Sequence, residues 1–168
     1  MKFTKMHGLG NDYLFVDAFE DEALARRDDL AALSVAMSDR RHGVGSDGLI
    51  VLSKPNEAEV VVCAMRIMHS DGAEAERCGS GLRCAGERLV EKGHVRLDDR
   101  NRLRMRTGAG VLEAEARFGE TGEVDTVTIA MGRPVFALEK VPVDRTRISV
   151  GKEQHGDVES AVGKETSV

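Results

Sequence analysis

The segment best suited to chemistry is Cys78-Gly79-Ser80-Gly81, where a cysteine precedes a small polar residue flanked by two glycines. A helix that begins there leaves its first backbone N–H groups unpaired, and glycines let a ligand approach them closely. Such a helix start favours an anion, and the amides of Gly79 and Ser80 are the candidate contacts. It also favours a thiolate and can lower a cysteine pKa from about 8.5 to roughly 3.5–7.5. Cys78 is therefore a candidate acid or base near neutral pH.

An inert packing role for Cys78 stays open, because unpaired cysteines are among the most frequently buried residues. The other two cysteines are predicted to pack in the core. Cys63 lies within an apolar run, and Cys84 follows Cys78 by six residues, about 240° further round a helix. These cysteines and His69 form no close pair with the spacing of a zinc site, so we expect no metal and no stabilising disulfide.

Two predicted elements position the cysteine segment. Leu82, Ala85 and Leu89 recur with helical spacing, which predicts a helix over residues 80–92 with a buried start. The apolar, β-branched run at residues 60–68 predicts a strand buried on both faces, which leads the chain towards Cys78. The candidate acid or base therefore lies between a core strand and a core helix.

The N-terminal part of the chain is predicted to combine strands with one helix. Strands at residues 1–6 and 13–19 flank a glycine-bearing loop at residues 7–12, which is a second candidate site element. An amphipathic helix is expected between Asp28 and Arg41, and the apolar run at residues 49–52 follows a glycine-rich loop.

The C-terminal part alternates apolar and polar residues with the period of half-buried strands, at residues 103–106, 112–118 and 126–131. Glycine-containing turns between these stretches predict antiparallel pairing. Residues 151–168 are polar and follow neither period. They predict a loose tail or a segment without its packing partner.

Length and charge restrict the class of protein. A chain of 168 residues has the size of one domain. Its 24 basic and 29 acidic residues give a net charge of −5, which argues against binding to a nucleic acid backbone. No apolar run approaches the roughly 18 residues of a membrane helix, and the opening MKFTKMHGLGND has no apolar signal core. We expect a cytoplasmic protein that acts on a small molecule and binds neither nucleic acid nor membrane.

Four blocks of sequence together resemble the N-terminal half of diaminopimelate epimerase: MKFTKMHGLGNDYLFVDA, RRHGVGSDGLIVL, MRIMHSDGAEAERCGSGLRCAGERLVEKG and MGRPVF. The resemblance covers about residues 1–145, and the first and third blocks are highly specific. It implies an α+β fold in which an antiparallel, β-barrel-like sheet wraps around a central helix. Residues 1–145 would form the N-terminal lobe, and residues 146–168 a polar tail or the truncated start of a second lobe.

The resemblance also implies an activity, the cofactor-independent epimerisation of LL-diaminopimelate to meso-diaminopimelate, for lysine and peptidoglycan precursors. Cys78 would exchange the proton at the substrate's α-carbon on one face, and a cysteine of the second lobe would work on the other face. Asn11 matches the family's substrate-binding asparagine, and Gly79 and Ser80 would hold the α-carboxylate. From the residues alone, an Asx turn is the favoured explanation of Asn11, since it is the commoner role for asparagine between a glycine and a strand.

The chain departs from the family pattern in three ways. His69 stands where the family usually has asparagine, so this candidate substrate contact is bulkier and can become charged. Ser80 replaces a second asparagine, which keeps the backbone donors but removes an amide side chain. The opposing cysteine is missing, which implies a truncated or split enzyme completed in a homodimer or by a second chain. Two alternatives stay open: a non-catalytic module that binds small carboxylates, and a related isomerase with another amino-acid substrate.

Overall fold

The structure is a computed structural model that describes residues 1–19, 21–55, 61–137 and 140–141. Contacts divide the chain into two units, residues 1–131 and 132–168. Every α-helix and β-strand within the described residues belongs to the first unit. The predicted lobe boundary at residue 145 and the predicted polar tail lie outside the described residues.

The first unit contains a hairpin, a pair of short helices, a central helix and a run of strands. In chain order the elements are β1 (Thr4–Gly8), β2 (Asn11–Asp17), α1 (Glu22–Ala25), α2 (Leu30–Ser38), β3 (Gly48–Ser53), β4 (Cys63–His69), β5 (Glu74–Ala75), α3 (Gly79–Glu91), β6 (Arg102–Thr107), β7 (Gly110–Phe118) and β8 (Val124–Ile129). The predicted helices and strands are all present, with ends shifted by a few residues. In the described part of the chain, no helix combines the length and apolar character needed to cross a membrane.

The described strands form one sheet with the order β1-β2-β3-β4-β6-β7-β8, and β5 pairs with β4. The pairs β2–β3 and β4–β6 are parallel and the others are antiparallel, so the sheet is mixed rather than wholly antiparallel. Parallel neighbours need a crossover connection. Helices α1 and α2 provide the first crossover and α3 provides the second.

Helix α3 packs against strands from both ends of the sheet order, β1 and β2 on one side and β7 and β8 on the other. The sheet therefore curls around this helix. Leu82, Ala85 and Leu89 have no solvent exposure and form the core of this contact. The predicted α+β class with a sheet wrapped around a central helix is confirmed.

Strand β2 is buried on both faces. Tyr13 and Phe15 point into the core around α3, whereas Leu14 and Val16 point into a second core beneath α1 and α2. Strand β4 was predicted to be buried on both faces as well, but Arg66 is exposed on its outer face and pairs with a glutamate of β5. That part of the prediction is wrong, because Arg66 and its ion-pair partner Glu74 both face solvent.

The β1–β2 hairpin is tighter than predicted. Leu9 and Gly10 form its turn with φ angles of 56° and 89°, the left-handed conformation that two-residue hairpin turns require. Strand β1 therefore continues to Gly8, and Asn11 is the first residue of β2 rather than a loop residue. The side chain of Asn11 is thus held by the register of a sheet.

Candidate active site

Cys78 is the N-cap residue of α3. Its backbone is extended, with φ −145° and ψ 112°, and its carbonyl accepts the first hydrogen bond of the helix, from the Leu82 N–H at 2.9 Å. Its side chain accepts from the Gly81 N–H at 3.4 Å. The sulfur therefore occupies the place that a Ser, Thr or Asp oxygen usually takes at a helix start. Cys78 is half-buried, so it is neither sealed in the core nor fully solvated.

Three further polar groups lie around the Cys78 sulfur. The Ser80 Oγ is 3.2 Å away, the Tyr13 hydroxyl 3.6 Å and the Asn11 Nδ2 3.7 Å. The Asn11 amide also donates to the Ser80 Oγ at 2.7 Å. Strand β2 thus contributes Asn11 and Tyr13, and α3 contributes Ser80. Together with Cys78 these side chains form a small polar cluster where β2 packs against α3.

The glycines allow strand and helix to approach each other closely. A Cβ on Gly8 would lie 3.0 Å from the Ser80 Cβ, and a Cβ on Gly81 would lie 2.7 Å from the Ile50 Cδ1. Gly81 is therefore closed off by the core rather than open to a ligand. A Cβ on Gly79 would contact only flexible side-chain atoms, the nearest 3.7 Å away, so the open side of the helix start is at Gly79.

Two opposing effects act on the Cys78 thiol. Burial disfavours the thiolate, whereas hydrogen bonds from the Ser80 hydroxyl, the Gly81 N–H and the Tyr13 hydroxyl favour it. The hydrogen bonds prevail, and the pKa of Cys78 is lowered from its ordinary value. Burial and the neighbouring Cys78 raise the pKa of Tyr13, which therefore remains a protonated donor.

The other two cysteines have the opposite electrostatics. Burial raises the pKa of Cys63 to about 12. Burial and the Glu87 carboxylate raise the pKa of Cys84. All three cysteines are free thiols, so Cys78 is the one whose environment favours ionisation. Within the described ranges, no group of His, Cys, Asp and Glu side chains could hold a metal ion.

His69 lies apart from the cluster. The sheet register places Tyr13 opposite Gly48 and Gly48 opposite His69, so His69 is two strands away from Tyr13 in the same row. Its side chain is exposed, and the structure shows no hydrogen bond from it to Cys78. The cluster therefore brings together the predicted residues Cys78, Asn11 and Ser80 but not His69.

A charged network fixes the hairpin that carries Asn11. Asp12 and Asp47 exchange hydrogen bonds: the Asp12 N–H donates to the Asp47 carboxylate at 2.8 Å, and the Asp47 N–H donates to the Asp12 carbonyl at 2.7 Å. The Arg40 guanidinium reaches both carboxylates, at 2.6 and 3.0 Å. Its hydrogen bond holds the pKa of Asp12 far below the usual range. These residues therefore shape the loop.

Tyr13 is the member of the cluster that sequence reasoning missed. It stands in an apolar strand, where its aromatic ring is explained by packing alone. The residue alternation of β2 places its side chain on the inner face, but no sequence pattern indicates that the start of α3 lies beneath that face. Only the tertiary structure places the hydroxyl beside Cys78.

Comparison with known proteins agrees with the resemblance and with the fold. Residues 3–137 match the protein family described as Diaminopimelate epimerase. A diaminopimelate epimerase of Geobacillus thermodenitrificans is 44% identical over 141 residues, which cover 84% of this chain and 46% of that protein. One of Caldanaerobacter subterraneus subsp. tengcongensis is 41% identical over 143 residues, 85% of this chain and 47% of that protein.

A solved structure of a hydroxyproline epimerase from Agrobacterium vitis superposes with a TM-score of 0.52 at 20% identity, over 76% of this chain and 40% of that one. At this identity the likeness concerns the fold alone. The chain spans about half the length of the curated relatives it matches. The family match over residues 3–137 nevertheless extends across the whole of the described fold. The chain belongs to the diaminopimelate epimerase family.

Proposed function

We propose that this chain supplies one lobe of an enzyme that epimerises LL-diaminopimelate to meso-diaminopimelate, with Cys78 exchanging the proton on one face of the α-carbon. The observation that supports this most strongly is the half-buried Cys78 sulfur at the start of α3, surrounded by hydrogen-bond donors that lower its pKa. Family membership supports the substrate.

The proposed step needs only this thiol and the substrate. The Cys78 thiolate takes the α-proton: the C–H bond breaks, an S–H bond forms, and the electron pair stays on the carbon, where it delocalises into the α-carboxylate. The start of α3 favours that negative charge, and the amides of Gly79 and Ser80 would hold the carboxylate. Because thiol and thiolate alone exchange the proton, the step requires no cofactor.

Inversion needs an acid on the opposite face of the carbon. Cys63 and Cys84 are both buried, and their raised pKa values make them poor partners. We assign the opposing cysteine to a second lobe. Asn11 would contact the substrate beside Cys78. The exposed His69 would contact only a substrate group that extends from β2 across β3 to β4.

Because the reaction needs a free thiol, we place it in a reducing compartment, the cytoplasm.

Solvent deuterium uptake tests the proposal. The folded chain is incubated with LL-diaminopimelate in D₂O, and loss of the α-proton signal is followed by NMR. We expect slow deuterium incorporation with little inversion, because no acid opposes Cys78. Cys78→Ala should abolish the uptake, while Cys84→Ala, the same change at a thiol outside the cluster, should retain it.

Two results would contradict the proposal. Folded wild-type chain that incorporates no deuterium would remove the catalytic role from this chain, and uptake that persists in Cys78→Ala would move it to another group. Calorimetry with diaminopimelate then identifies the alternative. Binding that is equal in wild type and Cys78→Ala, without deuterium uptake, would indicate a carboxylate-binding module.

A further inference from the structure

The Tyr13 hydroxyl is a buried polar group whose hydrogen-bond partner is a thiol. The residue is 3% exposed, and its oxygen lies 3.6 Å from the Cys78 sulfur. It is also the only tyrosine in the sequence. A phenylalanine ring would fill the same apolar space, so packing alone does not account for the hydroxyl.

Gly48 leaves the space that the Tyr13 ring occupies. Gly48 pairs with Tyr13 across β2 and β3, and a Cβ on Gly48 would lie 2.8 Å from the Tyr13 Cε1 and 2.1 Å from the Met68 carbonyl oxygen. The ring therefore lies over a strand position that is open only because it carries no side chain. This contact aims the hydroxyl at the start of α3.

The hydrogen-bonding capacities of the cluster give Tyr13 a distinct role. The Asn11 Nδ2 and the Gly81 N–H can only donate to the sulfur. A hydroxyl can do both, accepting from an S–H and donating to a thiolate. The Ser80 Oγ accepts from Asn11 at 2.7 Å and keeps its hydrogen available to the sulfur 3.2 Å away. The Tyr13 hydroxyl, which accepts from the Cys78 thiol at 3.6 Å, can therefore reverse its bond when the thiol ionises, whereas the Asn11 Nδ2 and the Gly81 N–H cannot.

We propose that Tyr13 is a positioning residue for proton transfer at Cys78, its hydroxyl accepting from the thiol and turning to donate to the thiolate. The identity of the substrate whose carbon supplies the proton rests on the proposed function. The change in direction of the Tyr13–Cys78 hydrogen bond involves only residues of this chain. When the S–H bond forms, its proton comes from the substrate carbon and the electron pair stays on that carbon. Tyr13 gains and loses no proton.

The electrostatics agree with this role. Burial first, and then the adjacent Cys78 sulfur and the Asp47 carboxylate, raise the pKa of Tyr13, so its O–H remains available as a donor. On the helix side, the Arg83 guanidinium lies beside Gly8 and Gly79.

Alkylation of the full chain provides the first test. Iodoacetamide modification of Cys78 is followed by mass spectrometry from pH 5 to 10, which gives the thiol pKa. Tyr13→Phe should raise that pKa and slow modification at pH 6 by roughly three- to tenfold, because the thiolate loses one donor. Ser38→Ala, which removes a buried hydroxyl bonded to Ser46, should change the rate less than twofold.

Fluorine NMR gives a signature that a packing role would not produce. Biosynthetic 3-fluorotyrosine labels Tyr13 alone, so the folded chain shows one resonance. We expect that resonance to titrate with the midpoint of Cys78 alkylation and to stay constant with pH in Cys78→Ala. A resonance without this titration in the wild type, or an unchanged alkylation profile in folded Tyr13→Phe, would overturn the proposal.

The alkylation test and the fluorine NMR test are independent of each other. If Tyr13→Phe fails to fold, the labelled wild-type chain still decides the matter. Neither test uses diaminopimelate. Failure of deuterium uptake together with a titrating fluorine resonance would reject the proposed function and leave the role of Tyr13 intact.

Discussion

The Asn11 amide nitrogen lies 2.7 Å from the Ser80 hydroxyl oxygen, and this contact joins the start of β2 to the start of α3 beside Cys78. Because the Ser80 oxygen accepts from Asn11, its own hydrogen is available to the sulfur 3.2 Å away. One strand residue thus influences the acidity of a thiol through a helix residue.

Ser80→Ala tests this arrangement. Alanine removes the hydroxyl that stabilises the Cys78 thiolate, so the pKa of Cys78 should rise and alkylation at pH 6 should slow by about tenfold. The pH profile of iodoacetamide modification measures the change. Ser53→Ala removes a half-buried hydroxyl that bonds to the Ala64 carbonyl, and this control should leave the profile unchanged. A Ser80→Ala profile equal to that of the wild type would show that the hydroxyl does not act on the sulfur.

Gly48→Ala tests the close contact between β3 and Tyr13. The new Cβ would lie 2.1 Å from a backbone carbonyl, so strands β3 and β4 must shift. We expect a loss of at least about 2 kcal/mol in the free energy of unfolding, measured with urea. Gly119→Ala adds a Cβ with no contact closer than 3.9 Å and should change it by less than about 0.5 kcal/mol. Equal stabilities of the two variants would contradict the packing described for Tyr13.

Arg40→Gln tests the charged network through its pH dependence. The Arg40 hydrogen bond lowers the pKa of Asp12 in the folded state, so the network stabilises the fold at neutral pH. That contribution is lost as the pH falls below the ordinary aspartate value of about 3.9. The urea midpoint of Arg40→Gln should therefore lie furthest below that of the wild type near pH 7, and the difference should narrow steadily as the pH falls below about 3.9.

The control for this prediction is Arg27→Gln, which breaks an ion pair with Asp29 on the exposed surface. Solvent screens such a pair, so its removal should hardly move the urea midpoint at any pH. A difference in urea midpoint between Arg40→Gln and wild type that grows on acidification would contradict the prediction. It would show that the Arg40 hydrogen bond does not stabilise the Asp12 carboxylate.

Local patterns predict much of this fold because they report local physics. The spacing of Leu82, Ala85 and Leu89 predicts α3, and Cys78 before the glycine-flanked Ser80 predicts the place where the helix begins. The parallel pairs β2–β3 and β4–β6 were not predicted, since alternation within a strand shows which face is buried but not which strand lies beside it. The helical connections between these strands decide that they pair in parallel.

The cluster around Cys78 shows the same limit. Asn11 was placed in a loop because it follows two residues that favour a turn, yet the two-residue turn ends before it. Tyr13 carries no signal beyond an apolar strand. Its hydroxyl gains a partner only when β2 packs against α3, and this contact joins residues 65 positions apart in the chain.

The measurement that tests the central claim most directly is the titration of Cys78 by NMR of cysteine labelled with ¹³C at Cβ, in the folded chain. We expect the Cys78 signal to titrate clearly below the ordinary thiol pKa of about 8.5, while the signals of buried Cys63 and Cys84 stay constant over that range. A Cys78 signal that titrates at or above the ordinary value would contradict the account.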